Sequence, residues 1–282
     1  MVKNTLLSVL FLGLLLVVAC KSSTNSSGTN SDSALADSIA QVDTVSIEDG
    51  GIQIFYNMYL SVEMNTLFNS IGASFNKNII NPFEKASEYE ISSDKAVNLG
   101  VYAVDLSYAR AFDQIDYAGN YLKTMHKLAT ELGIPDDKFY LSVKRIEQNV
   151  SNKDSLVKIA NELYLATENY LKDSDRESAA AMVVLGGWTE AMYIATSMVN
   201  KKQKDIELME RIADQKSSLK NLIDLLSKYK NDKTVVAYLE QLNKLSLSFE
   251  KLVIDESKLD ATYKQLAEVT SLVQLLRKEI VE

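Results

Sequence analysis

The chain has 282 residues, 46% of them hydrophobic, with only two prolines and ten glycines; that composition excludes global disorder and supplies a sizeable core. Its formal net charge of −8 repels phosphate backbones, and no basic run offsets it, so no nucleic-acid partner is expected. One cysteine and one histidine, His126, exclude intramolecular disulfides, zinc centres, Ser-His or Cys-His nucleophilic arrangements and di-iron bundles built on Glu-x-x-His pairs.

Residues 1–19 open with Lys3 and continue in an apolar run from Leu6 to Ala19. A charged start and a run of this length read as a secretory signal, too short for a transmembrane span. Val17-Val18-Ala19-Cys20 resembles the lipobox of bacterial lipoproteins, and Cys20 is the sole cysteine. The resemblance implies cleavage before Cys20 and lipid attachment there, leaving a mature chain of charge −9 once Lys3 is lost. Burying acyl chains contributes about 0.8 kcal/mol per methylene, so multiple acylation makes a durable anchor.

Residues 20–50 begin KSSTNSSGTNSDS after the cysteine, too polar to bury surface and therefore a tether. A short helix is expected over Ala34–Val45, carried by Leu35, Ile39 and Val42. Lys21 follows the cysteine with no acidic cluster behind it. Resemblance to the sorting pattern of Gram-negative lipoproteins then implies an outer-membrane anchor with the domain in the periplasm, surface display being the alternative.

Residues 51–282 are expected to form a single all-α domain with a sub-boundary near 200. From Trp188 to Glu282 there is neither glycine nor proline, which suits long helices and not hairpin turns. Apolar spacing predicts a helix from Ile52 to about Gly72, a loop over Phe75–Glu90, and a helix over Ala96–Phe112 with Ser93 as N-cap. Asp116 is expected to cap a helix that stops at Gly133, with Pro135 beyond. Helices over 136–150, 153–171 and 176–199 follow. After Asn200 come three stripes: Ile206 to Tyr229, Val235 to Leu252, and Leu259 to Ile280. Turns and caps are expected at Asn231-Asp232 and Asp255, giving antiparallel helix hairpins.

Two segments, AVNLGVYAVDLSYARAF from Ala96 and AAAMVVLGGWTEAMYIATSMV from Ala179, read as central helices buried on most faces. Each carries Leu-Gly, an aromatic (Tyr102, Trp188), a carboxylate (Asp105, Glu190) and a tyrosine (Tyr108, Tyr193), at an offset of about 86 residues, as an old duplication would leave. The second is long enough for a membrane span, but Glu190 at its centre argues for a core helix. Gly186-Gly187 costs about 1 kcal/mol per glycine against alanine in a helix, which a closely crossing helix offsets.

A lone carboxylate in an apolar helix must be paired, hydrogen-bonded or protonated. Two readings stay open for Asp105 and Glu190. In one they face a shared cavity with Tyr102, Tyr108, Trp188 and Tyr193 and bind a ligand. In the other they accept hydrogen bonds that fix packing. Aromatic clusters such as Phe55, Tyr56 and Tyr59 read as core or as groove, and His126 as a solvated surface residue. No metal or cofactor motif is present: no Asp-x-Asp-x-Asp-Gly loop and no phosphate-binding glycine loop.

Asn81-Pro82, Lys95–Tyr108 (KAVNLGVYAVDLSY), Asn120-Tyr121-Leu122, Leu128–Ile134 (LATELGI), Asn152–Leu156 (NKDSL) and Leu185–Tyr193 (LGGWTEAMY) resemble a family of uncharacterised lipoproteins of Bacteroidetes, over roughly residues 50 to 200. The resemblance implies an exported helical lipoprotein and carries over no catalytic residue. The expectation is thus a non-catalytic interaction or scaffold module of the cell envelope, anchored through Cys20 and docking other envelope proteins. The alternative is a ligand-binding lipoprotein with a cavity between helices 96–112 and 176–199.

Overall fold

The computed structural model describes residues 71–135, 176–202 and 205–282, with the isolated positions 68, 144, 145, 148, 169–171, 173 and 174. Cys20, Phe55, Tyr56, Tyr59 and the helices expected before Gly72 and over 136–171 lie outside the described residues or touch them only at isolated positions. The chain divides into two compact units, Met1–Glu48 and Asp49–Glu282, and every described residue belongs to the second.

The fold is all-α, and no strand occurs among the described residues. Its α-helices are α1 (Ser92–Ala111), α2 (Ile115–Glu131), α3 (Glu177–Met198), α4 (Ile206–Ala213), α5 (Lys216–Leu226), α6 (Lys233–Lys251) and α7 (Leu259–Val281). Single 3-10 turns at Lys77–Ile79 and Phe83–Ser87 break the loop ahead of α1.

α1 and α3 form the centre. α3 buries every residue from Ala180 to Met192, as an all-round apolar helix must. It is long and apolar enough to cross a membrane by composition, yet 89% of its most apolar window is buried inside the protein.

The two helices touch through backbone. A methyl group at Gly100 would overlap the Val183 carbonyl oxygen and stand 2.7 Å from the Gly187 nitrogen; one at Gly186 would overlap the Val97 carbonyl oxygen. Each glycine therefore meets the carbonyl three residues before the other, a reciprocal crossing that matches the offset in the sequence. Close packing on both sides offsets the propensity lost at the glycines.

Around this pair, α2 packs on α1, while α7 packs on α3 and α6, and α5 on α6 and α3. The stripes expected beyond Asn200 face inward: Leu222, Leu226, Leu242, Leu245, Phe249, Leu266, Val273 and Leu276 are all at most 3% exposed. The first stripe is interrupted at Asp214-Gln215, which separates α4 from α5. Asp232 caps α6, accepting from the Thr234 backbone N–H at 2.9 Å, and Asp255 accepts from the Ser257 N–H at 2.9 Å.

Two expected caps are corrected. α1 starts at Ser92 with Ile91 at the N-cap and no side-chain cap; Ser93 lies inside the first turn, its hydroxyl turned to Asp94. α2 starts at Ile115 after Gln114, so Asp116 sits in the first turn, where its charge favours the positive end of the helix dipole. The tight α1–α2 turn puts Asp113 at φ 56°, a left-handed conformation that aspartate tolerates. Gly133, at φ 75°, ends α2 as expected. His126 is half-buried on α2 and takes part in at least one further interaction.

Candidate functional site

Asp105 and Glu190 come together. Both are 0% exposed, and they lie close enough between α1 and α3 for each carboxyl to shift the other's protonation. A third residue, which sequence reasoning missed, completes the group. Arg277 of α7 donates from Nε to Glu190 Oε2 at 2.8 Å and from Nη2 to Oε1 at 2.9 Å. This two-point fork is the strongest common cation–carboxylate geometry. The guanidinium also stacks on Tyr193, 4.1 Å from the ring centroid.

The protonation state follows from counting donors. Asp105 Oδ2 accepts the Asn81 backbone N–H at 3.0 Å. Asp105 Oδ1 is buried and receives no donor among the described residues. An oxygen in that position is satisfied when it carries a proton itself and donates it to Glu190. Burial, then the neighbouring Glu190 charge, push the Asp105 carboxyl well above the usual range, with Arg277 opposing. Burial also raises Glu190, but Arg277 acts directly against that shift. For Arg277, burial disfavours the charge while Glu190 and Asp105 more than restore it, so it stays cationic. These directions favour a proton on Asp105 and the Arg277 pairing for the charge of Glu190.

Asp105 in turn holds a loop. Asn81 is 0% exposed with its N–H on Asp105, and its carbonyl accepts from the Tyr121 hydroxyl at 2.8 Å. Its side-chain amide donates to the Tyr89 hydroxyl at 2.9 Å and to Asn98 at 3.3 Å. Pro82 has no N–H to satisfy, and its carbonyl accepts from the Tyr102 hydroxyl at 3.0 Å. Burial pushes the Tyr89, Tyr102 and Tyr121 hydroxyls upward, so all three stay protonated, Tyr102 and Tyr121 as donors to the loop carbonyls and Tyr89 as an acceptor. Asn98 also donates to the Ile280 carbonyl at 2.8 Å, and Lys85 to the Val281 carbonyl at 3.0 Å, tying the end of α7 to the same loop.

The other expected residues are not on this pair. Tyr108 lies a turn further along α1 in a ring cluster with Phe68, Phe75 and Phe112, its hydroxyl accepting the Asn76 N–H at 3.0 Å. Trp188 faces Phe249 of α6, its indole nitrogen buried without a partner among the described residues. Where α1 and α3 cross, main chain fills the space between them.

A different opening lies beside the pinned loop. A cleft of about 370 Å³ runs between the 77–84 segment and α2, walled by Phe83, Tyr117 and Tyr121. Among the described residues no group of three or more His, Cys, Asp or Glu could hold a metal ion. Comparison with family models, with curated proteins and with solved structures finds no match to this chain.

Proposed function

We propose that the chain is an exported, lipid-anchored helical module that acts at the cell envelope by non-catalytic interaction. The observation that carries this reading is the fate of its two core carboxylates. Both are fully buried, Asp105 against the Asn81 backbone N–H and Glu190 in a two-point pair with Arg277. A general acid or base must reach a substrate and exchange its proton there; these two are occupied in holding α1, α3, α7 and the Asn81 loop together. The lipid anchor rests on Val17-Val18-Ala19-Cys20 and the polar tether behind it, together with the likeness to Bacteroidetes lipoproteins, and the outer membrane facing the periplasm is the location we assign.

Two measurements test this. Intact-mass analysis of the mature chain from a membrane fraction should find Cys20 at the N-terminus carrying acyl groups, and Cys20→Ser should abolish them. A mature chain that keeps residues 1–19 with an unmodified thiol contradicts the anchor. In a deletion strain, Asp105→Asn should complement as well as wild type. A folded Asp105→Asn chain that fails to complement contradicts the non-catalytic reading.

A further inference from the structure

The cleft beside α2 has a lining that the core packing does not explain. Lys77, Asn78, Glu84, Asp116 and Asn120 border it, and among the described residues their side chains form no hydrogen bond or ion pair. The half-buried rings of Phe83 and Tyr117 line it with them, and Tyr121, only 1% exposed, lies beneath as the floor. Phe83 meets Tyr121 edge-on at 6.0 Å, and Tyr117 meets Phe75 at 5.2 Å, so the rings are set by packing.

The wall opposite α2 is equally fixed. Ile80, Pro82 and Phe83 belong to the loop whose backbone is held by Asp105, Tyr102 and Tyr121. A buried carboxylate group is a weak source of stability, since apolar residues of similar size often serve as well. Holding one loop in one conformation is a use that apolar packing serves poorly. A binding wall fixed before the ligand arrives avoids the ordering cost of association.

We propose that this cleft binds a small polyhydroxyl ligand, a neutral or amino-bearing saccharide of one or two rings. The part-exposed rings of Phe83 and Tyr117 offer apolar surface to the C–H face of a sugar, while amides and carboxylates at the rim pair with its hydroxyls, the usual division of labour in a ligand pocket. A wholly apolar ligand would strip water from five polar side chains and return no hydrogen bonds. Phosphorylated or sulfated ligands meet Glu84 and Asp116 against Lys77 alone, a net repulsion. The volume of about 370 Å³ is near the lower end for ligand pockets, about 300–1,000 Å³, which limits the ligand to one or two rings. The proposal goes beyond the anchored, non-catalytic reading and does not depend on it.

The test is titration of the full chain with cellobiose and with N,N′-diacetylchitobiose, followed by calorimetry and by saturation transfer from protein to sugar ring protons. At least one disaccharide should bind at millimolar concentration. Tyr117→Ala should weaken it about tenfold or more, and Asn120→Ala, at a half-buried position that leaves the rings in place, should weaken it measurably. Leu247→Ser on α6, away from the cleft, should leave binding unchanged. Three results overturn the proposal: neither sugar binds, both cleft variants bind as wild type does, or inorganic phosphate or a dipeptide such as dialanine binds more tightly than either sugar.

Discussion

Glu190 and Arg277 lie 87 residues apart and meet through two hydrogen bonds of 2.8 and 2.9 Å inside the protein. The pair ties the last helix to the most buried one, and the Arg277 side chain is only 13% exposed. Removing one partner strands the other charge, whereas removing both does not. Arg277→Met should therefore destabilise by about 3–5 kcal/mol and Glu190→Gln by a similar amount. The double variant should lose much less than the sum, since it leaves no uncompensated charge. Chemical denaturation of the four chains checks this; additive losses would mean that the pair is not coupled.

The glycine crossing predicts opposite signs for one substitution at three positions. Gly100→Ala and Gly186→Ala drive a methyl into a facing carbonyl, and should cost about 3 kcal/mol or more, overpacking against main chain that cannot yield. Gly119 sits in α2 with nothing within 4 Å of where a Cβ would stand. There alanine should stabilise by about 0.5–1 kcal/mol through helix propensity. Thermal melting of the three variants reads both signs in one experiment.

The Asn81 loop predicts a loss from deleting a single oxygen. Tyr121→Phe leaves the Asn81 carbonyl buried without its donor, a cost of about 1–3 kcal/mol. Tyr102→Phe does the same at Pro82 and should cost less, because Pro82 is exposed and water reaches its surroundings. Equilibrium unfolding of both variants, with amide exchange at Asn81, checks the ranking; equal, negligible losses would show that the loop is not held by these hydroxyls.

Much of this was legible in the sequence. Asp105 and Glu190 stood out because a carboxylate in an apolar helix demands a partner, and Gly186 because a mid-helix glycine demands a neighbour. The absence of glycine and proline after Trp188 was enough for the helical class. Arg277 was not legible, because it sits beside the apolar stripe of α7 at Val273, Leu276 and Ile280, where a solvated flanking residue looks the same. Its one signal was spacing: four residues after Val273 and three before Ile280 put it on the inward face. Asn81 was hidden for another reason, since periodicity is silent about loops and an asparagine before proline reads as an ordinary turn. The caps expected at Ser93 and Asp116 failed because the cap positions fall two residues earlier, at Ile91 and Gln114, neither of which makes a side-chain cap.

Two carboxyls buried against one guanidinium favour a proton on one of them, and burial and the Glu190 charge put it on Asp105. Its folded carboxyl is raised, so the stability it contributes is fully present below the unfolded value, near 3.8, and is lost as pH rises through the folded value. Within that window one retained proton gives a slope of about 1.4 kcal/mol per pH unit. Asparagine keeps the donor group without the titration. The most direct measurement is unfolding free energy against pH from 4 upward, for wild type and Asp105→Asn. Similar stability is expected near pH 4, with a wild-type curve that falls away from the Asp105→Asn curve as pH rises. A difference between the two that stays constant across pH, or an Asp105→Asn chain that loses several kcal/mol even near pH 4, would mean that Asp105 is an ionised acceptor and would contradict the proton on Asp105.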